Sequence, residues 1–166
     1  MHLRRLKAKD AEYMLEWMHD GSVVEFMDAD FSSKSLADCL AFIESAKDDS
    51  DNLHLAIANE DDEYQGTVSL KNIKDDNAEF AITIRKSAMG TGVSGEAMRE
   101  IINIGFSERN LNLIYWYVSA ENERAIRFYE KNGYEKADIR QMPVADDFIE
   151  NNDKEYIWFK VSKPEC

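Results

Sequence analysis

Gly90, Gly92 and Gly95 fall where an apolar strand gives way to a helix, in the run Met89-Gly90-Thr91-Gly92-Val93-Ser94-Gly95-Glu96. Glycine lets a backbone approach a ligand closely and turn its N–H groups inward, and the positive end of the following helix favours anions. The chemistry on offer is a cradle for a pyrophosphate. A strand-to-helix turn also uses glycine simply to make a tight connection, so the turn needs company. That company is the segment Glu121 to Tyr134, ENERAIRFYEKNGY, one strand further on. Asn122 and Tyr129 stand seven residues apart there, on one helical stripe with Ala125 between them, so an amide and a phenol reach the same slot. Glu79, upstream, alternates with Phe80 and so points away from both Phe80 and Ile82. Its carboxylate suits proton acceptance, anchorage of a cation, or an ordinary ion pair on the strand.

Alternating strand and helix periodicities position these groups. A short strand near Leu3 to Leu6 precedes a helix opened by Asp10, with Ala11, Met14, Leu15 and Met18 on one face. After a looser stretch, Ser33 and Ser35 announce a second helix whose Leu36, Cys39, Leu40 and Ile43 share a stripe. Strands at Leu53 to Asn59, Tyr64 to Lys71 and Ala78 to Arg85, joined by acidic turns, form an antiparallel meander. Val93 to about Glu108 is helical, Leu113 to Ser119 is a strand, and together they make a strand-helix-strand crossover. A last helix runs from Asn122 to about Asn132 and stops at Gly133, before strands at Tyr134 to Arg140 and Tyr156 to Val161. An acidic loop, Met142 to Lys154, separates those two strands. The expected fold class is α+β, a mixed sheet with helices on both faces.

The 166 residues, 44% hydrophobic, suit one domain over 1–166 with a single substantial core. A formal net charge of −13 opposes binding to nucleic acid or an anionic membrane and suits a cationic substrate. Cys39 and the terminal Cys166 lack disulfide or zinc spacing, and His2, His19 and His54 stand isolated, so no metal site is expected. With no signal-peptide pattern and no membrane-spanning run, the expectation is a cytoplasmic protein.

Two blocks carry a family resemblance. The first is Ala78-Glu79-Phe80-Ala81-Ile82-Thr83-Ile84 leading into Gly90 to Ala97. The second is Leu111-Asn112-Leu113-Ile114-Tyr115 leading into Asn122, Ala125, Phe128-Tyr129-Glu130-Lys131 and Gly133-Tyr134. Across essentially its whole length the chain resembles the GNAT superfamily of N-acetyltransferases, and within it the ribosomal-protein alanine and spermidine N-acetyltransferase branch. The resemblance implies a GNAT-type acyl-CoA N-acyltransferase fold whose central mixed sheet splays around acetyl-CoA. The family's pyrophosphate signature places Gly92 at its glycine and Met89 and Ser94 at its flanking positions, where both depart from the usual residues. The N–H groups of Gly90, Gly92, Val93, Ser94 and Gly95 would hold the phosphates, with Thr91 in the same turn. Backbone groups of Phe80 to Ile84 would bond the pantetheine amides, and an N–H from Ile82, Thr83 or Ile84 would stabilise the oxyanion. Asn122, Ala125 and Phe128 would line the same slot.

The family's tyrosine corresponds to Tyr129, which becomes the general acid for the leaving CoA thiolate. A primary amine with a pKa near ~10.4 is protonated all but about one part in a thousand at neutral pH, so its proton needs a route out. Glu79 supplies one, as base or as anchor. The implied reaction is direct attack of a small-molecule or peptide-terminal amine on acetyl-CoA, without a covalent enzyme intermediate. A non-catalytic acyl-CoA-binding or regulatory domain, favoured by Met89 and Ser94, is the alternative. An acidic interaction module using only the scaffold is a third reading. The acceptor's identity has no code in the sequence, and an edge strand near the C-terminus offers a surface for homodimer pairing.

Overall fold

The computed structural model describes residues 1–27, 29–138, 140, 142 and 155–164. Cys166 and nearly all of the acidic loop after Met142 lie outside these residues. Strands β1 (His2–Arg5), β2 (Leu53–Ala58), β3 (Tyr64–Lys74), β4 (Asn77–Ile84), β5 (Leu113–Ser119), β6 (Glu135–Ala137) and β7 (Tyr156–Ser162) form one sheet. Its order is β1-β2-β3-β4-β5-β7-β6. Every neighbouring pair is antiparallel except β4 and β5, which are parallel. That exception is the crossover through helix α4 (Val93–Glu108). The remaining helices are α1 (Ala11–Met18), α2 (Gly21–Val24), α3 (Leu36–Ala46) and α5 (Glu123–Lys131).

Alternation along the strands decides which helices cover which face. Val68, Leu70, Ala78, Phe80, Ile114, Trp116 and Phe159 turn toward α4 and α5, where Ala97, Met98, Ile101, Ile102, Phe106 and Tyr129 complete the main core. The opposite face carries α1 and α3 over Ala56 and Tyr64, with Cys39 buried among Met14, Trp17 and Met18. Farther along that face, Tyr115 and Trp158 pack with Met142. Helices on both faces of a mixed sheet are therefore observed as expected.

Several local expectations change. The loose stretch contains α2, opened by Asp20, whose carboxylate accepts from Ser22 N at 3.0 Å. Asp10 does not cap α1 with its side chain. It ends a 3-10 turn, Ala8–Asp10, and its buried carboxylate accepts from the two terminal guanidinium nitrogens of Arg4 at 2.8 Å. Ser35, not Ser33, caps α3, in a reciprocal box with Asp38. The expected strand at Tyr134 to Arg140 contracts to the three residues of β6, the sheet edge nearest the C-terminus.

The acidic segments partly serve the fold. Asp62 joins Arg4, Lys7 and Lys9, and Glu63 and Glu16 clasp Arg85, which also lies 4.3 Å over the Tyr13 ring. Arg85 follows β4 directly, so this clasp fixes the strand end that leads into the glycine turn. Gly66 of β3 helps: a Cβ there would overlap the Thr83 carbonyl and Ile84, so only glycine lets β3 approach β4 this closely.

Candidate active site

The ladder between β4 and β5 is short. Asn77 pairs with Leu113, Ala78 with Ile114 and Glu79 with Tyr115, and there it stops. From Phe80 to Ile84 the edge of β4 that faces β5 has no strand partner, although the other edge stays paired to β3 through Ile84 and Gly66. Arg85 N donates to Gln65 O of β3 at 2.9 Å, so by alternation Thr83 also turns its backbone groups to β3. It is the donors and acceptors of Ile82 and Ile84 that are free to bond an extended chain lying in the gap.

The glycine turn follows at the open end of that gap. Gly90 and Gly92 have φ of 79° and 87°, a region closed to most residues, and a Cβ on either would meet nothing within 4 Å. Their glycines answer to backbone direction, not to crowding. Gly92 is the N-cap of α4, a helix of 16 residues. The N–H groups of Gly90, Gly92, Val93, Ser94 and Gly95 donate to no acceptor among the described residues. Those of Met89 and Thr91 do not share this freedom: Met89 N donates to Lys86 O at 3.1 Å and Thr91 N to Ala88 O at 3.3 Å, while the Thr91 hydroxyl also bonds Ala88 O. Unpaired N–H groups at a helix N-terminus form an anion site. Met89 and Thr91 shape that site without contributing backbone donors.

On α5, Asn122 is the N-cap, its side-chain oxygen accepting from Ala125 N at 3.2 Å. This cap, invisible in the stripe argument, commits the carbonyl half of the amide to the helix and leaves Nδ2 without a partner among the described residues. Ala125 and Phe128 lie half-buried against the main core. Tyr129 is 6% exposed, its ring 5.3 Å from Trp116 and 5.1 Å from Phe159. Burial holds its phenol well above the ordinary tyrosine range, so it carries its proton at neutral pH.

Glu79 lies on the other face. Its carboxylate Oε2 is 3.0 Å from Lys71 Nζ, with side-chain exposures of 12% and 38%. Beside it Tyr115, 1% exposed, is pushed up to about 12 by burial, the Glu79 charge adding to the effect. Glu79 and Tyr129 therefore occupy opposite faces at the point where the central strands part. Lys71 escaped the sequence reading because a regular hairpin from the Lys74–Asn77 pair would put Asn72 opposite Glu79. Asn72 adopts a φ of 52° and the register shifts, which brings Lys71 there instead.

A cavity of about 290 Å³ opens on the Glu79 face beyond the end of β5, lined by Glu25, Phe26, Met27, Ser119, Ala120, Glu121, Glu155 and Tyr156. Three carboxylates and no Lys or Arg contribute to this lining. The three histidines bond elsewhere, His54 Nδ1 to Ser69 at 2.6 Å, His19 Nε2 to Lys34 O at 2.8 Å and His2 to Asp62 at 3.2 Å. Among the described residues no three His, Cys, Asp or Glu side chains cluster as a metal site, and no helix is long and apolar enough to cross a membrane.

The profile of the acetyltransferase (GNAT) domain matches residues 1–135. The chain belongs to the GNAT acetyltransferase family. This GNAT enzyme is 30% identical over 156 residues to the uncharacterized N-acetyltransferase p20 of Bacillus licheniformis, covering 86% of this chain and 88% of that protein. It is 37% identical over 76 residues to the spermidine N(1)-acetyltransferase of Escherichia coli K12, covering 45% of this chain and 41% of that one. The solved spermidine N-acetyltransferase of Vibrio cholerae, in complex with CoA and spermine, shares its fold with a TM-score of 0.80 at 19% identity, over 97% of this chain and 94% of that one. The activity is N-acetyl transfer from acyl-CoA to an amine.

Proposed function

We propose that acetyl-CoA lies with its pyrophosphate on the Gly90 to Gly95 turn and its pantetheine arm along the free edge of β4, so that the thioester reaches the parting of β4 and β5. The observation that carries this is the pairing of unbonded N–H groups at the head of α4 with the unpaired edge of Phe80 to Ile84. The amine comes from the Glu79 face and attacks directly. Glu79 acts on the ammonium and Tyr129, on the cofactor face, protonates the departing thiolate. An N–H of Ile82 or Ile84, the residues whose backbone groups face the gap, stabilises the oxyanion.

The acceptor we infer is a small amine with a second positive charge. Ser119, at the mouth of the acidic cavity, is four residues along β5 from Tyr115, or roughly 13 Å at strand spacing. An acceptor whose reacting nitrogen meets Glu79 would place a distal cation among Glu25, Glu121 and Glu155. Spermidine in the names of relatives agrees with such a shape. A cytoplasmic place of work belongs to the same reading, as acetyl-CoA is a metabolite of that compartment.

Following CoA thiol release over a panel of amines tests this. Diamines and triamines should turn over with higher kcat/KM than monoamines and amino acids of similar length. Binding of acetyl-CoA without release on any amine would favour the non-catalytic acyl-CoA-binding domain.

A further inference from the structure

Trp116 Nε1 stands out among the buried side-chain nitrogens and oxygens of the described residues: it has no hydrogen-bond partner. The residue is 2% exposed. By contrast, the indole of Trp17 donates to the Tyr64 hydroxyl at 3.0 Å. A buried N–H without an acceptor loses its hydration and recovers nothing, which is why such groups are rare and call for an explanation.

The position supplies one. Trp116 follows Tyr115, the last residue of β5 paired with β4, so it is the first residue of β5 at the gap. Its ring meets Phe80 of β4 edge-on at 5.4 Å across the parting strands, lies flat on Phe159 at 5.8 Å, and touches Tyr129 at 5.3 Å. The indole thus borders the gap on the cofactor face, next to the phenol assigned to the thiolate. Tyr134 stands perpendicular to the indole at 5.2 Å, and a ring is at most a weak acceptor that does not replace an oxygen.

We propose that the Trp116 Nε1–H donates to a carbonyl oxygen of the acyl-pantetheine arm when acyl-CoA fills the gap. This rests on the reading of the gap as the cofactor slot. An indole N–H only donates and does not titrate near neutral pH, so Trp116 positions the arm and moves no proton.

The test uses the unsubstituted chain labelled with nitrogen-15, whose three tryptophans give three indole signals, with Trp116→Phe used only to assign one of them. Acetyl-CoA should shift the Trp116 signal downfield, whereas adenosine 3′,5′-bisphosphate, which lacks the arm, should leave it in place. A shift with CoA as well as acetyl-CoA assigns a pantetheine amide carbonyl, and a shift with acetyl-CoA alone assigns the thioester. Trp116→Phe should raise the Kd for acetyl-CoA about 3- to 10-fold, the worth of one hydrogen bond, with the bisphosphate unaffected. If saturating acetyl-CoA moves the Gly90 and Gly92 amide signals but not that of Trp116, the proposal falls and the slot stands. If acetyl-CoA binds by calorimetry and moves none of them, the slot reading falls too.

Discussion

The Nζ of Lys71 lies 3.0 Å from Oε2 of Glu79, on the last rung before the two central strands part. The carboxylate proposed to meet the amine thus already holds one cation. An incoming ammonium must share or displace it, which makes Lys71 part of how tightly the site holds positive charge.

Glu79→Gln should lower kcat/KM for amines by on the order of 10²-fold, with part of the loss recovered at high pH, where free amine is abundant. A loss uniform from pH 7 to 10 would instead make Glu79 an anchor. Because the substitution also releases Lys71 toward the acceptor, the double change Lys71→Met with Glu79→Gln separates lost carboxylate from exposed cation. Acetyl-CoA affinity should be unchanged in both variants.

Gly92→Glu places a carboxylate and bulk against the proposed phosphate site and strains a backbone with φ of 87°. Gly92→Ala carries the strain, of about 1–3 kcal/mol, into otherwise open space. Calorimetry with CoA should therefore show a much larger loss for the glutamate than for the alanine. Equal affinities in the two folded variants would move the pyrophosphate elsewhere.

Tyr129→Phe keeps the ring contacts with Trp116, Phe128 and Phe159 and removes a hydroxyl that bonds no described residue. Thermal stability and acetyl-CoA affinity should survive, while kcat drops by on the order of 10²-fold or more. Near-normal kcat on the best acceptor would remove Tyr129 as the acid.

Alkaline stability reports on the buried phenols. Burial raises Tyr64, Tyr115 and Tyr129, with Tyr115 at about 12, above an unfolded value near ~10. The folded state holds these protons more tightly, so their contribution is whole below pH ~10 and is lost as pH rises through the folded values. Urea midpoints should stay level up to about pH 9.5 and fall beyond it, each phenol adding a slope of about 1.4 kcal/mol per pH unit. Tyr115→Phe should flatten that slope. A flat midpoint through pH 11 would mean these rings titrate as freely as in the unfolded chain.

Elements that answer to local periodicity were legible in the chain itself. The bounds read for α4 and β5 coincide with the observed Val93–Glu108 and Leu113–Ser119, because apolar spacing over a dozen residues reports one face of one element. The glycine turn was legible for a similar reason, since backbone directions open only to glycine leave glycines behind. Tertiary structure alone decided what depends on two distant segments meeting. The bulge at Asn72 sets Lys71 against Glu79, and the Asp10 carboxylate turns from its helix to Arg4. The parting of β4 from β5 after Glu79 leaves one edge of Phe80 to Ile84 open, and packing around Trp116 leaves its indole N–H without an acceptor. Register, strand separation and the satisfaction of buried polar groups are properties of pairs, and no single stretch of sequence contains both members.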